Sequence, residues 1–136
     1  MKFLSSSLED YIEAIYILKK DKGFARVSEI ANFLNVKMSS VNSAIKILAK
    51  KELVVHKNYG YISLTKLGER EAKKIYSRHI ILKRFFKEVL GVNEKKAEID
   101  ACKIEHHISK ETLNKLLKYI KRMIKNDTGS GAKRES

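Results

Sequence analysis

The stretch Val27–Leu48, VSEIANFLNVKMSSVNSAIKIL, decides how the rest of the chain is read. Ser28 is placed to cap a short helix that carries Ile30, Ala31 and Leu34 on one side. Asn35 and Val36 interrupt the pattern as a tight turn. Ser39 or Ser40 then caps a further helix whose apolar positions are Val41, Ile45 and Leu48. Two short helices joined by so tight a turn are the core of a helix-turn-helix.

The flanking segments extend that unit. Upstream, Ser5 to Ser7 precede Glu9 and Asp10 as a capping signature, and Leu8, Tyr11, Ile12, Ile15 and Leu18 recur at helical spacing. This helix is expected to run to about Lys22 and stop at Gly23, which can adopt the left-handed conformation of a helix end. Downstream, Leu53–Thr65, LVVHKNYGYISLT, alternates and is β-branched, with a turn signal at Asn58-Tyr59-Gly60. It predicts a β-hairpin from Leu53 to Leu64. Helix, short helix, turn, helix, hairpin is the order of a winged helix-turn-helix over residues 1–65. In that arrangement the third helix enters the major groove and the hairpin lies along the backbone.

The remainder is helical. Thr65 begins a long helix with Leu67, Ala72, Ile75, His79, Leu82, Phe86 and Val89 on one stripe, ended by Gly91. Two more helices are expected, about Asn93 to Ile108 and about Lys110 to Asn126. They make residues 66–126 an α-helical second domain, and a tail at 127–136 without apolar anchors is expected to be disordered. The fold class is therefore mostly α, which suits a chain with no proline and 6 glycines in 136 residues.

The formal charge is +13, from 29 basic against 16 acidic residues, an excess that attracts polyanions. The third helix has the surface for double-stranded DNA. Ser39, Ser40, Asn42 and Ser43 are small hydrogen-bonding groups that allow close approach to bases, and Lys37, Lys46 and Lys50 can neutralise phosphates. Lys57 and Tyr59 continue this face on the hairpin, beside His56 and Lys51. A single cysteine permits no internal disulfide and fits a reducing compartment. The N-terminus lacks the apolar run of a signal peptide, and no stretch approaches the roughly 20 apolar residues of a membrane span. A cytoplasmic protein with no membrane partner is expected.

Candidate chemistry concentrates in Cys102–His107, CKIEHH. Cys102, Glu105 and His106 stand at i, i+3 and i+4 and share a helix face; His107 does not. A thiolate, a carboxylate and an imidazole can supply three ligands to a divalent transition metal. His79, on the apolar stripe of the long helix, and Asp10 with Glu13 on the first helix are further candidates. Each has a plainer reading: Asp10 as an acid near a helix start, His79 as a core histidine, Cys102 as a small buried hydrophobe. Cys102 with His106 lacks an orienting third group or an oxyanion loop, and Glu-His-His is not the zinc-protease spacing, so no enzyme is read here.

LEDYIEAIYIL (8–18), VSEIANFLNVKMSSVNSAIKIL (27–48), YISLTKLGEREA (61–72), RHIILKRFF (78–86) and CKIEHHIS (102–109) together resemble the diphtheria toxin repressor and manganese transport regulator family. The likeness runs from Leu8 to about Lys125. It implies a winged helix followed by a helical dimerisation domain, a homodimer on a palindromic operator, and a divalent metal bound between the two domains. It also implies the short form, without an SH3-like third domain. By position, Asp10 and Glu13 match carboxylate ligands of the manganese branch, and His79 a ligand throughout. Glu105 and His106 match ligands of both branches, while Cys102 matches the iron branch. Lys83 and Glu98 stand at positions of an ancillary site in the iron branch, which the resemblance implies is not carried here. Fe(II) or Mn(II) is the expected co-repressor, with Co(II), Ni(II) and Zn(II) able to bind in vitro. A winged-helix regulator answering another signal, and a metal-buffering protein, are the competing readings.

Overall fold

The computed structural model describes residues 4–57 and 60–130. Its order is α1 (Ser6–Lys22), β1 (Ala25–Arg26), α2 (Val27–Leu34), α3 (Met38–Lys50), β2 (Val54–His56), β3 (Tyr61–Leu64) and α4 (Lys66–Arg84), then a π-helical turn (Phe85–Val89), α5 (Glu94–His107) and α6 (Lys110–Ser130). The chain divides into two compact units, residues 1–76 and 77–136. This division into compact units falls inside α4. Its physical basis is that one helical stripe serves two cores: Ala72 and Ile75 belong to the first and Leu82 to the second.

In the first unit α1 begins where its serines place it. Ser5 Oγ accepts the Leu8 N–H at 3.2 Å, and Gly23 closes the helix at φ 87° with its N–H on the Lys19 carbonyl. The other caps differ from expectation. Arg26, not Ser28, is the N-cap of α2, and the Glu29 carboxylate accepts the Arg26 N–H at 3.1 Å. Lys37, not Ser39 or Ser40, is the N-cap of α3, with no side-chain capping bond. Extended backbone at the end of β1 and at Lys37 sets both starts two or three residues early, which leaves Ser39 and Ser40 inside the first turn of α3. Between them Asn35 takes the left-handed conformation at φ 57°, and the Val36 N–H reaches the Ala31 carbonyl.

The hairpin is present as β2 paired antiparallel with β3, Val54 opposite Leu64 and His56 opposite Ile62. Its expected turn at Asn58 and Tyr59 lies outside the described residues. Two-residue β1 joins the free side of β3, giving the order β1-β3-β2. Arg26 fastens this addition: its guanidinium lies 4.7 Å from the Tyr61 ring centroid and donates to the Tyr61 hydroxyl at 2.9 Å. Ile12, Ile15, Ile30, Val41, Leu48 and Leu53 are fully buried in this unit.

Thr65 joins wing to helix. Its N–H donates to the Leu53 carbonyl, its hydroxyl to the Glu52 carbonyl at 2.7 Å, and its Oγ accepts the Gly68 N–H at 3.0 Å. Gly68 permits this crossing, because a Cβ there would collide with the Leu53 carbonyl oxygen.

In the second unit the long helix does not stay α-helical to Gly91. After Arg84 one π turn intervenes and rotates the helix surface, so that Val89 leaves the apolar stripe and is 47% exposed. Asn93 caps α5, its side chain accepting from the Lys95 and Lys96 N–H groups. Leu82, Ala101, Leu113, Leu117 and Ile120 form the core. The tail expected from 127 is corrected at its start, since α6 continues to Ser130. Backbone bonds propagate a helix without apolar anchors, and a helix needs no new nucleus to continue. Residues 131–136 lie outside the described residues.

Gly68→Ala is expected to destabilise the protein by about 1–3 kcal/mol through overpacking, despite alanine's better helix propensity. Chemical denaturation monitored by circular dichroism measures it, and an unchanged midpoint would contradict the close approach.

Candidate metal centre and nucleic-acid face

Helix α3 presents the polar face foreseen for it. Lys37, Ser39, Ser40, Asn42, Ser43, Lys46 and Lys50 are all exposed, while Val41, Ala44, Ile45 and Leu48 are buried. The Lys37 cap has a consequence for this face, because no side chain spends its capping capacity at the start of α3. The serine hydroxyls of the first turn remain usable as donors and acceptors towards base edges. Lys57, next after β2, is exposed; Tyr59 lies outside the described residues.

Asp10 and Glu13 lie three residues apart on α1, in the first unit. Glu13 is buried and Asp10 half-buried. A buried carboxylate is costly without a donor or cation near it.

The second unit holds the remaining candidates. On α5, Cys102 and His106 bring ligand atoms within 4.8 Å of each other, and Glu105 and His106 do the same. Glu105 is buried, Cys102 and His106 half-buried, and His107 turns away, its Nδ1 2.8 Å from the Lys103 carbonyl oxygen. The same-face reading of 102, 105 and 106 therefore holds in space. On α4, His79 is buried with Nδ1 3.9 Å from Glu105 Oε1. That separation is too long for a hydrogen bond, and neither atom makes one among the described residues.

Electrostatics point the same way. Burial raises the Glu105 carboxyl above the usual carboxylate range, against the opposing pull of His106, Arg78 and His79. Arg78 Nε donates to the other Glu105 oxygen at 3.3 Å, which orients the carboxylate and leaves Oε1 towards His79. His79 Nδ1 and Glu105 Oε1 are thus two buried atoms able to ligate a cation, facing each other without a hydrogen bond. A divalent cation satisfies both, so the donor set fits a transition metal of mixed S, N and O ligation. Sequence reasoning does not single out Arg78, because its i−1 position to His79 carries no periodic signal.

A winged helix-turn-helix unit followed by a helical unit that gathers thiol, carboxylate and imidazole groups on one face is the architecture of metal-responsive DNA-binding proteins. Two family descriptions match the chain: the iron dependent repressor N-terminal DNA binding domain over residues 3–62, and the iron dependent repressor metal binding and dimerisation domain over residues 65–130. It is 40% identical over 110 residues to the HTH-type transcriptional regulator MntR of Bacillus velezensis, covering 81% of this chain and 77% of that protein. Among solved structures it is similar to IdeR of T. acidophilum, at 26% identity and a TM-score of 0.71 over 88% of this chain. It is also similar to ScaR with bound Zn2+, at 29% identity and a TM-score of 0.63 over 82% of this chain. The chain spans only 55% and 54% of those two structures. The protein belongs to the iron-dependent repressor family, whose members are metal-dependent transcriptional regulators.

Replacing Glu105 by Gln keeps an acceptor for Arg78 and removes the buried charge. A carboxyl held above its unfolded value binds more protons in the folded state, so in chelator its contribution to stability falls as pH rises through that interval. Glu105→Gln is therefore expected to melt higher than wild type in chelator at pH 7, by about 2–4 °C for each kcal/mol relieved. It is also expected to lose the rise in melting temperature that Co(II) gives wild type. Scanning calorimetry with and without Co(II) checks both signs.

Proposed function

We propose that the protein is a divalent-metal-dependent repressor that binds a palindromic operator as a homodimer, acts in the cytoplasm and catalyses no reaction. The observation that carries the metal side of this reading is the buried pair His79 Nδ1 and Glu105 Oε1, facing each other at 3.9 Å without hydrogen bonds. The exposed serine and lysine face of α3 supports the DNA side.

The proposed ligand set is Cys102, Glu105, His106 and His79, with Asp10 and Glu13 of α1 completing it as the positional match implies. When bound, the cation supplies positive charge to a set that includes three carboxylates. The protein's own part is to hold those carboxylates at a cost until the charge arrives. Asp10 and Glu13 belong to α1, whose Ile12 and Ile15 are buried in the same core as Val41 and Leu48 of the recognition helix. A constraint on α1 is thereby a constraint on α3. In a two-fold dimer the quantity that matters is the spacing of the two recognition helices, about 34 Å for one turn of DNA. Metal then biases an existing equilibrium towards that spacing.

Cys102 bears on which metal acts. A thiolate favours Fe(II), Co(II), Ni(II) and Zn(II) over Mn(II), whereas the oxygen and imidazole donors accept either. Fe(II) is the preferred co-repressor on this chemistry, with Mn(II) next. We propose that Cys102→Glu shifts relative affinity towards Mn(II). Calorimetric titration of both forms with Fe(II) and Mn(II) under anaerobic conditions measures the ratio, and an unchanged ratio removes the assignment.

An operator duplex selected from a random pool in the presence of Mn(II) is expected to bind tightly with Mn(II) or Fe(II). Affinity should fall sharply in chelator and decline linearly in log–log form with salt. Equal affinity with chelator and with metal would refute the repressor reading. Stoichiometric metal uptake with no effect on DNA would favour metal buffering.

A further inference from the structure

The proposed metal ligation leaves one set of charged side chains unused. His79 Nε2 lies 2.8 Å from Glu98 Oε2, the shortest side-chain contact described at that residue. The other Glu98 oxygen is 3.2 Å from the Lys83 ammonium. Lys83 also reaches Glu94 Oε2 at 3.5 Å, and Glu94 Oε1 accepts from Lys87 at 3.1 Å. Lys83 stands one turn after His79 on α4, and Glu94 one turn before Glu98 on α5, so two i,i+4 pairs interlock across the two helices. All of these residues lie in the second unit.

Glu98 determines what the buried face of His79 can do. One Glu98 oxygen lies 3.2 Å from the Lys83 ammonium, which can only donate, and the other 2.8 Å from His79 Nε2, so the carboxylate is the acceptor of both contacts. The proton of the 2.8 Å contact therefore belongs to His79 Nε2. A neutral imidazole carries one proton, and with Nε2 holding it Nδ1 is a bare lone pair. Nδ1 faces Glu105 Oε1 at 3.9 Å, beyond hydrogen-bond range.

We infer that Glu98, held in place by Lys83, is a positioning residue that fixes the Nε2–H tautomer of His79 and aims Nδ1 as the metal-ligating atom. A carboxylate behind a ligating imidazole orients the ring and raises its basicity. Lys83 orders that carboxylate by a second bond and offsets its charge, keeping a negative group beside a cation site from becoming a ligand itself. An ammonium of the chain itself thereby stands behind the carboxylate that contacts His79. This inference rests on the metal reading for its consequence, but its structural half concerns only the ring proton.

The two halves are tested separately in the full chain. With ring-nitrogen NMR in chelator, His79, identified among the four histidines by His79→Gln, is expected to show the Nε2–H tautomer. Glu98→Ala should give a mixture of tautomers, and Glu98→Gln, whose amide oxygen can still accept, should restore the wild-type signal. Co(II) affinity by calorimetry is expected to fall roughly 10–100-fold in Glu98→Ala and by less in Glu98→Gln and Lys83→Ala. A Glu98→Ala protein with wild-type circular dichroism, tautomer and Co(II) affinity would overturn the inference. A wild type that takes up no Co(II) would defeat the metal reading, and the tautomer comparison would still decide the role of Glu98.

Discussion

The organisation of the second unit depends on the cost of burying a carboxylate. Glu105 is sequestered, raised by desolvation, and answered on one oxygen only, by Arg78. The other oxygen faces His79 Nδ1 at a distance that suits neither a hydrogen bond nor indifference. Such a pair weakens a protein unless something positive is bound, and folds tolerate that deficit where binding is the function. Around the deficit the surrounding chain is well provided: Glu98, Lys83, Glu94 and Lys87 satisfy one another, so the deficit is confined to the face where Cys102 and His106 also bring donors.

The first unit solves a different problem, that of presenting a helix to DNA without weakening its support. Helix α3 keeps Val41, Ala44, Ile45 and Leu48 in the core and gives the polar residues between them to solvent. The wing is anchored at its base by Thr65, which bonds to both Glu52 and Leu53, and by the crossing at Gly68. Arg26 ties the short first strand to Tyr61 through a hydrogen bond and the ring face. Rigid support of this kind lets a small displacement of α1 be transmitted to α3 and not absorbed, because packed cores resist continuous deformation.

Much of this is legible in residue order. Periodicity places the six α-helices of the described residues, and Ser5 with Gly23 sets both ends of α1, because a serine hydroxyl and a glycine φ act locally. Ser28, Ser39 and Ser40 mislead for the same reason: capping preference is a side-chain property, whereas the starts of α2 and α3 are set by extended backbone at Arg26 and Lys37. Two-residue β1 is too short to show alternation, and the π turn at Phe85–Val89 has no period of its own. For the site, the spacing of 102, 105 and 106 suffices because all three share one helix. The pairing of His79 with Glu98 depends on how α4 and α5 register across 19 residues, which no local pattern encodes.

In the proposed mechanism metal and operator act on one equilibrium, and thermodynamic linkage makes that measurable from the less obvious side. If metal tightens operator binding by some factor, operator must tighten metal binding by the same factor. Titrating the protein with Mn(II), alone and with saturating operator duplex, measures this directly. Linkage requires a lower dissociation constant for Mn(II) with DNA present, by the factor that Mn(II) confers on operator affinity. An identical constant in the two titrations would contradict the mechanism.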